Sequence, residues 1–308
     1  MTRHFLSIDD LTPAELAGLL DLAAKVKASP EDYEDRLHRT SVALIFEKPS
    51  TRTRVSFEVG VAELGGHPLA LSSSELQLGR GETIEDTGRV LSRYVQAIVL
   101  RTFGQERLEA LARTATVPVV NSLSDFEHPC QALADLLTVR ERAGDLRGRT
   151  LTYLGDGNNV AHSLLLSGAM SGMTVRVATP VGFEPIPQVV HRAREIADEV
   201  GAGGRIVVTN DPVEASTGAD VLYTDVWASM GQEAEVDERT LVFPAYRIDQ
   251  AAVDRASPDV VVLHCLPAHR GQEITDEVID GPHAAVWDQA ENRLHTQKAL
   301  LLWLLGRA

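Results

Sequence analysis

The sequence is short of cysteine, of basic side chains and of long apolar runs, and each shortage excludes a class of protein. Two cysteines among 308 residues cannot build the disulfide framework of a small secreted domain, so we expect a reducing, cytoplasmic location. Lysine and arginine total 29 against 44 acidic residues, a net charge of −15, whereas nucleic-acid-binding surfaces are basic. No apolar run reaches the roughly 18–20 residues that span a bilayer. Residues 1–16 also lack a signal-peptide core.

Short β-branched runs alternate with segments of helical periodicity along most of the chain. This alternation predicts an α/β protein in which parallel sheets carry helices on both faces. The pattern restarts near Gly148, so we predict two doubly wound domains with a boundary at 143–149. The predicted strands are 41–46, 68–71, 97–101, 117–121, 150–154, 175–178, 206–209, 221–224 and 260–264. The predicted helices include 8–27, 51–64 with Val55, Val59 and Ala62 as its apolar residues, 83–94, 130–143 and 297–305. Thr12, before Pro13 and three residues before Glu15, is a predicted N-cap, and Glu291 is predicted to open the last helix.

The densest polar motif, Ser50-Thr51-Arg52-Thr53-Arg54, lies between a predicted strand and a predicted helix. A helix N-terminus offers free N–H groups and a partial positive charge, and hydroxyls and arginines add donors, so the motif is typical of a phosphate site. The alternative is that Ser50 only caps the helix and the arginines are solvated. Arginine in a first helical turn opposes the helix dipole, which favours anion binding.

Two more polar positions follow strands in the same half of the chain. Arg101 ends an apolar strand, where it is either a surface residue or a guanidinium that faces the site. His128 precedes Pro129 and Gln131 at a helix start. It either caps the helix or donates to a carbonyl or oxyanion, as histidine does in acyl transfer.

The second half contains a glycine turn, Gly155-Asp156-Gly157-Asn158-Asn159, that is similar to a dinucleotide fingerprint. Val160 stands where the third glycine belongs, and the next strand ends in Ala178-Thr179-Pro180 without an acidic residue. Both departures argue against a nicotinamide cofactor. Paired asparagines at a strand-to-helix turn suit an amino-acid ligand instead.

Two motifs follow later strands of this half. Asp225 follows residues 221–224 and suits a substrate ammonium, and Gly231 is a candidate hinge of a lid. Cys265 lies in His264-Cys265-Leu266-Pro267. It is either a small buried side chain or a thiol activated by neighbouring His and Arg.

Taken together, in this order and over nearly the whole chain, these motifs resemble the ornithine carbamoyltransferase family. The segments 50–54 and 128–131 resemble transcarbamoylases in general, and Asp225-x-Trp-x-Ser229-Met230-Gly and His264-Cys265-Leu266-Pro267 resemble the ornithine branch. The resemblance implies transfer of the carbamoyl group of carbamoyl phosphate to the side-chain amine of L-ornithine, giving citrulline and phosphate. It places the reaction in arginine biosynthesis or, reversed, in citrulline breakdown.

The resemblance also implies an organisation. Residues 1–145 are expected to bind carbamoyl phosphate and residues 146–290 ornithine, with a C-terminal helix, 291–308, that packs back on the first domain. No metal, organic cofactor, nucleic acid or membrane partner is implied. The family implies a homotrimer in which Gln77 reaches the carbamoyl phosphate of a neighbouring subunit.

The family's site residues correspond to positions of this sequence. The resemblance implies four catalytic residues: Arg101, His128, Asp225 and Cys265. Carbamoyl phosphate is expected to contact Ser50, Thr51, Arg52, Thr53, Gln77, Arg101, His128, Gln131, Cys265, Leu266 and Arg293. Ornithine is expected to contact Asn159, Asp225, Ser229 and Met230.

The chemistry requires a neutral amine, and an alkylamine with a pKa of about 10.4 costs roughly 4–5 kcal/mol to deprotonate at pH 7. A carboxylate favours the ammonium form, so we expect Asp225 to orient the amine. The proton acceptor is either the Cys265 thiolate or the departing phosphate. Thr53, Arg101 and His128 are the expected donors to the oxyanion.

Four other interpretations compete with this one. They are a transcarbamoylase acting on putrescine or an acylated ornithine, a zinc protein, a cysteine hydrolase built on Cys265, and a non-catalytic binding module. Paired spacings such as C-x₂-C are absent, which argues against zinc. An intact set of Arg52, His128, Asp225 and Cys265 argues against the binding module. In the zinc interpretation, the metal ligands would come from His128, Cys130, His264, Cys265 and His269.

Overall fold

The structure is a computed structural model that describes residues 2–72, 81–228 and 236–308, without the side chains of 236–238. These residues form two units, Met1–Ala134 with Glu291–Ala308, and Asp135–Ala290. The predicted boundary is 143–149, whereas the two units meet inside the helix Pro129–Ala143 and inside the last helix. None of the helices in the described segments is long and apolar enough to cross a membrane.

The first unit is built on a four-stranded parallel sheet in the order β2-β1-β3-β4. Four consecutive residues of β1 and four of β3 are buried, which shows that both faces of the sheet are covered. Phe5 pairs with Val120 and extends the sheet beside β4. The strands are β1 (Ser41–Phe46), β2 (His67–Ser72), β3 (Ala97–Arg101) and β4 (Val119–Leu123). The helices are α1 (Pro13–Ala28), α2 (Arg52–Glu63), α3 (Ile84–Leu91), α4 (Gln105–Thr114) and the first part of α5 (Pro129–Ala143).

The second unit is built on a five-stranded parallel sheet in the order β7-β6-β5-β8-β9. Its strands are β5 (Thr150–Leu154), β6 (Thr174–Ala178), β7 (Ile206–Thr209), β8 (Val221–Thr224) and β9 (Val261–His264). Its helices are α6 (Asn159–Met170), α7 (Pro187–Val200), α8 (Pro212–Ser216), α9 (Val236–Val242), α10 (Gln250–Arg255) and α11 (Asp276–Ile279). The last helix, α12 (Val286–Leu304), begins in this unit and ends in the first. The prediction of two parallel-sheet α/β domains is confirmed.

Each sheet reverses its strand order once, between β1 and β3 in the first unit and between β5 and β8 in the second. Ligands of open α/β sheets bind at the carboxyl ends of the strands beside such a reversal. The polar motifs follow β1, β3 and β4 in one unit and β5, β8 and β9 in the other. The topology therefore gathers the motifs of each half at one edge of its own sheet.

The N-terminal helix is shorter than predicted. Residues Ile8–Asp10 form a separate 3₁₀ turn, and α1 begins at Pro13. Thr12 adopts an extended conformation because a residue before proline avoids the helical region. The predicted cap is confirmed, since the Thr12 side chain accepts from the Glu15 N–H and Glu15 bonds back to the Thr12 N–H.

The predicted apolar face of α2 is wrong. Val55 and Val59 are 50% and 40% exposed, whereas Phe57 and Val61 are fully buried. Helical periodicity identifies a stripe of residues, but only packing decides which stripe faces the core.

The last helix begins at Val286, so the prediction that Glu291 opens it is also wrong. Its C-terminal part packs on the first unit, as expected. Lys298 donates to Glu63 at 2.7 Å, and Lys27 donates to Asn292 at 2.8 Å. A Cβ on Gly60 of α2 would lie 3.1 Å from Lys298 Cγ, so α12 approaches α2 closely at this glycine.

Candidate active site

The loop after β1 begins with two residues that stabilise the first unit. Glu47 accepts from the Thr102 hydroxyl and from Arg107. Lys48 is buried, pairs with Asp125 and lies 4.3 Å over the ring of Phe103. Neither side chain is therefore available for an anion, which leaves the binding role to the residues that follow.

The start of α2 offers uncapped backbone donors. Thr51 is the N-cap residue, but its side chain makes no capping hydrogen bond. Ser50 is half-buried and Thr51 is exposed beside this helix end. Arg54 pairs with Glu58 at 3.0 Å on the exposed surface, which accounts for one of the two arginines without an anion. Arg52 is half-buried and contributes to the charge around His128.

His128 lies near three arginine side chains of the first unit. Burial lowers the pKa of His128 well below its ordinary value, and the nearby guanidinium groups of Arg293, Arg101 and Arg52 lower it further. The imidazole is therefore neutral at physiological pH, and a neutral ring can donate a hydrogen bond without adding a fourth positive charge. The positive field that disfavours the imidazolium favours a bound anion.

Arg293 reaches this cluster from α12. Its guanidinium donates to Gln131 Oε1 at 2.6 Å and to Thr53 Oγ1 at 3.0 Å. With its amide turned to match its neighbours, Gln297 accepts from Arg293 Nε at 3.2 Å and donates to Ser56. Because the Thr53 oxygen accepts from Arg293, the Thr53 hydroxyl proton remains available for another acceptor.

Asp225 is the central acidic group of the second unit. It directly follows β8 and is only 7% exposed. Its Oδ1 accepts from the Val226 N–H at 2.8 Å and from the Cys265 thiol at 2.9 Å, and its Oδ2 accepts from Asn158 Nδ2 at 3.0 Å. All three donors are neutral groups. Within residues 135–228 and 236–290 no lysine or arginine pairs with this carboxylate.

Asn158 is held in one orientation by the helix that it caps. Its Oδ1 accepts from the N–H groups of Val160 and Ala161 at the start of α6. The amide nitrogen must then point away from the helix, towards Asp225. Gly157 precedes it where a Cβ would lie 2.3 Å from the backbone nitrogen of Pro185, so only glycine fits this turn.

The turn after β9 brings Cys265 to Asp225. Leu266 has a φ of 60° in this turn, a left-handed conformation that costs a leucine roughly 1–2 kcal/mol. The Leu266 N–H donates to His264 Nδ1 at 2.8 Å and holds that conformation. The His264 N–H donates in turn to Gln289 Oε1 at 2.9 Å.

Two domain families match this chain. The carbamoyl-P binding domain of the aspartate/ornithine carbamoyltransferases matches residues 3–141, and their Asp/Orn binding domain matches residues 147–304. The chain belongs to the aspartate/ornithine carbamoyltransferase family.

Relatives of this carbamoyltransferase place it in the ornithine branch, as the resemblance implied. The ornithine carbamoyltransferase of Parafrankia sp. (strain EAN1pec) is 63% identical over 306 residues, covering 98% of this chain and 96% of that protein. That of Acidothermus cellulolyticus is 60% identical over 308 residues, covering 100% and 98%. The structure of the ornithine carbamoyltransferase from Pyrococcus furiosus matches with a TM-score of 0.95 and 52% identity, over 99% of this chain and 97% of that one.

The expected site residues of this carbamoyltransferase fall into two groups in the structure. Asp225, Cys265 and Leu266 lie together in the second unit. Asn159 is half-buried at the first position of α6 beside them. Gln77, Ser229 and Met230 lie outside the described residues. Those gathered in the first unit are Arg52, Thr53, Arg101, His128, Gln131 and Arg293, with Ser50 and Thr51 at the start of α2.

Three polar residues beside the site were not predicted from the sequence. Asn158, adjacent to the predicted Asn159, is the asparagine that bonds to Asp225, and its N-cap position was a signal for its orientation. Gln289 and Glu273 bond to His264. They had no local signal, since a buried polar residue far along the chain looks like any surface residue in sequence.

Asp225, His264 and Cys265 offer metal-ligand atoms within 4.8 Å of one another. Both ring nitrogens of His264 are already bonded, one to the Leu266 N–H and the other to Glu273. Two donors then remain, whereas catalytic zinc sites use three protein ligands. As folded, this cluster does not form such a metal centre.

Proposed function

We propose that this carbamoyltransferase transfers the carbamoyl group of carbamoyl phosphate to the side-chain amine of L-ornithine, giving L-citrulline and phosphate. The observation that carries the proposal is the Asp225 carboxylate, which is buried and whose donors, among the residues that the structure describes, are all neutral. Such a group attracts a cationic acceptor molecule and repels a dianionic one. The ornithine branch takes a cationic acceptor and the aspartate branch an anionic one, so this charge favours ornithine.

Carbamoyl phosphate is assigned to the first unit. Ser50, Thr51, Arg52 and Thr53 are proposed to hold its phosphate at the start of α2, where backbone donors lack a cap. Arg101, His128 and Gln131 are proposed to contact its carbamoyl end. Arg293 is proposed to orient Thr53 and Gln131, to which it donates hydrogen bonds. We propose the domain assignment 1–145 with 291–308 for carbamoyl phosphate, and 146–290 for ornithine.

Ornithine is assigned to the second unit. Asp225 and Asn159, with Ser229 and Met230 outside the described residues, are proposed to bind it. Asp225 is supported by its charge and burial, and the neighbouring Asn158 holds one of its oxygens. Cys265 and Leu266 are proposed to lie against the reacting groups of both substrates.

Stabilisation of the developing oxyanion is proposed to come from Thr53, Arg101 and His128. A neutral His128 donates an N–H to the carbonyl oxygen, and the positive field around it stabilises negative charge in a buried setting. The Thr53 hydroxyl is left free to donate because its oxygen accepts from Arg293. Loss of one such donor typically lowers the rate by about 10²–10³-fold.

The departing phosphate is proposed as the proton acceptor. Cys265 donates its thiol hydrogen to Asp225 Oδ1 at 2.9 Å, so in this arrangement the sulfur is a protonated donor and not a base. Asp225 itself favours the ammonium form of the amine and therefore serves to hold it. The phosphate gains negative charge as the C–O bond breaks, which makes it basic when the amine must lose its proton.

Replacing Cys265 with serine tests this assignment. Serine keeps a hydroxyl that donates to Asp225, so we expect kcat to fall by less than about tenfold, whereas loss of a general base typically costs about 10²–10⁴-fold. Cys265→Ala, which removes the donor, is the matched comparison. A serine variant as inactive as the alanine variant would reject the phosphate as acceptor.

The proposed reaction is tested by citrulline formation with purified protein, carbamoyl phosphate and a panel of amines. We expect ornithine to be carbamoylated, and aspartate, putrescine and N-acetylornithine to react far more slowly. No citrulline, or faster reaction of another amine, would contradict the proposal. Titration of the protein with inorganic phosphate by calorimetry tests the anion site separately.

We propose a homotrimer in which Gln77 acts across the subunit interface. Val55 and Val59 support an assembly, since they expose apolar surface on α2 beside the carbamoyl phosphate residues. Light scattering after size exclusion should give three times the monomer mass of 33.4 kDa. The two cysteines are free thiols, which supports a proposed cytoplasmic location.

A further inference from the structure

A fully buried histidine–glutamate pair lies behind the turn that carries Cys265. The side chains of His264 and Glu273 both have 0% exposure. His264 Nε2 lies 3.1 Å from Glu273 Oε1, and His264 Nδ1 lies 2.8 Å from the Leu266 nitrogen. Neither residue belongs to the set assigned to substrate binding or catalysis above.

The hydrogen bonds determine the tautomer of His264. The Leu266 N–H is a donor, so Nδ1 must accept with its lone pair and carries no proton. Nε2 then carries the proton and donates it to Glu273. Glu273 Oε1 is itself held by the His269 N–H at 2.5 Å. A carboxylate partner on one ring nitrogen thus fixes what the other ring nitrogen can do.

The tautomer matters because of what Nδ1 holds. It bonds the N–H of a leucine whose φ is 60°, a conformation that leucine rarely adopts. Cys265 lies between His264 and Leu266, so the same bond closes the turn around it. The position of Sγ, 2.9 Å from Asp225 Oδ1, depends on that closure.

We propose that Glu273 and His264 are positioning residues for the reaction proposed above. Glu273 holds His264 as the Nε2–H tautomer, and His264 then holds the Cys265–Leu266 turn against Asp225. A proton relay from Cys265 through His264 to Glu273 is a different hypothesis. It requires a free lone pair on the imidazole, and Nδ1 already accepts from a backbone N–H.

Two substitutions of His264 separate the two ring nitrogens. His264→Asn places an amide oxygen near the position of Nδ1, from which it accepts the N–H two residues later, as asparagine does in turns. His264→Gln places an amide nitrogen near the position of Nε2 and leaves the Leu266 N–H without that acceptor. We expect His264→Asn to keep kcat/KM for ornithine within about tenfold, and His264→Gln to lose about a hundredfold, since misplacement by about 1 Å costs that much.

Two substitutions of Glu273 separate position from charge. Glu273→Gln keeps an oxygen that accepts from His264 Nε2–H and from the His269 N–H, and Glu273→Ala removes it. We expect the glutamine variant to stay within about tenfold of the natural protein and the alanine variant to lose about a hundredfold, chiefly through the ornithine parameters. The same changes at Glu277, which is exposed on α11, should have no effect.

A spectroscopic readout does not depend on turnover. Nitrogen NMR of histidine-labelled protein, with the His264 signals assigned by their loss in His264→Asn, should show a neutral ring protonated at Nε2. Glu273→Ala should change that pattern. A ring protonated at Nδ1, or on both nitrogens, in the natural protein would overturn the inference.

The kinetic outcomes distinguish the inference from the proposed function. If the unmodified protein forms no citrulline, the proposed function fails, and the NMR result still decides the tautomer. The positioning role is overturned if the protein is active but kcat/KM for ornithine falls as far in Glu273→Gln as in Glu273→Ala. It is also overturned if kcat/KM is higher in His264→Gln than in His264→Asn. Thermal unfolding and phosphate binding identify any variant that does not fold. If Glu273→Ala does not fold, the comparison of kcat/KM rests on the amide variants His264→Asn, His264→Gln and Glu273→Gln.

Discussion

Replacing Asp225 with asparagine removes the charge of this side chain while nearly preserving its shape. The Asn158 amide nitrogen cannot turn away, because its oxygen caps α6. The N–H group of the new amide must therefore face another hydrogen-bond donor. That donor is Asn158 in one orientation of the amide, and Cys265 and Val226 in the other. Losing one hydrogen bond costs about 0.5–1.5 kcal/mol of folding stability, and removing a buried charge offsets part of it.

The effect on ornithine should be larger and selective. A hydrogen bond between a carboxylate and a substrate ammonium contributes about 1.5–3 kcal/mol. At about 1.4 kcal/mol for each factor of ten, its loss raises KM for ornithine by about ten- to a hundredfold. The parameters for carbamoyl phosphate should change little, since Arg52, Arg101 and His128 lie in the first unit.

Steady-state kinetics with each substrate varied in turn, together with urea unfolding, measure both effects of Asp225→Asn. Asp211→Asn is the matched control, because Asp211 accepts from the first N–H groups of α8 and asparagine caps helices equally well. Unchanged ornithine saturation in Asp225→Asn would refute the assignment of this carboxylate. Equal losses for both substrates would indicate structural damage instead.

Three further predictions test other parts of the molecule. Arg52→Lys keeps the charge but loses the planar fork, so we expect weaker phosphate binding by calorimetry and intact folding; unchanged affinity would remove Arg52 from the phosphate site. Burial lowers the pKa of His128 in the folded protein. Below about pH 6.5 the unfolded chain therefore binds more protons at this histidine than the folded chain does, and the free energy of unfolding falls as the pH is lowered from that value. Urea midpoints between about pH 7.5 and about pH 5 should therefore fall less steeply in His128→Gln, and equal slopes would contradict this. A Cβ added at Gly18 would meet no atom within 4 Å, so Gly18→Ala should stabilise α1 by about 0.5–1 kcal/mol. A Cβ added at Gly60 would lie 3.1 Å from Lys298 of α12, so Gly60→Ala should gain less stability or lose some. Thermal unfolding measures both changes.

Local sequence was sufficient for most elements of this fold. β1 and β3 are continuous runs of apolar residues that are buried on both faces of the sheet, and such a run predicts a buried strand from local sequence alone. The start of α1 followed from Thr12 and Glu15, whose capping bonds involve residues three apart. The apolar face of α2 did not follow, because Val55 and Phe57 are equally apolar and only their neighbours in space decide which is buried.

The candidate site was predictable only where its residues sit in short motifs at strand ends. Arg52, Asp225 and Cys265 were predicted in this way, because parallel sheets gather such ends at one edge. Arg293 took its expected role from the family resemblance alone. Its contact with Thr53 joins residues 240 positions apart, and no periodicity in either segment indicates it.

By itself, the sequence determined the α/β class, the order of strands and helices, and the chemical character of the loops, since these depend on residues within a turn or a strand of one another. Tertiary structure alone decided that Asn158 holds Asp225, that Glu273 sets the tautomer of His264, and that three arginines surround a neutral His128. Those outcomes depend on burial, which changes the charge state and the partners of a side chain, and burial is a property of the packed chain.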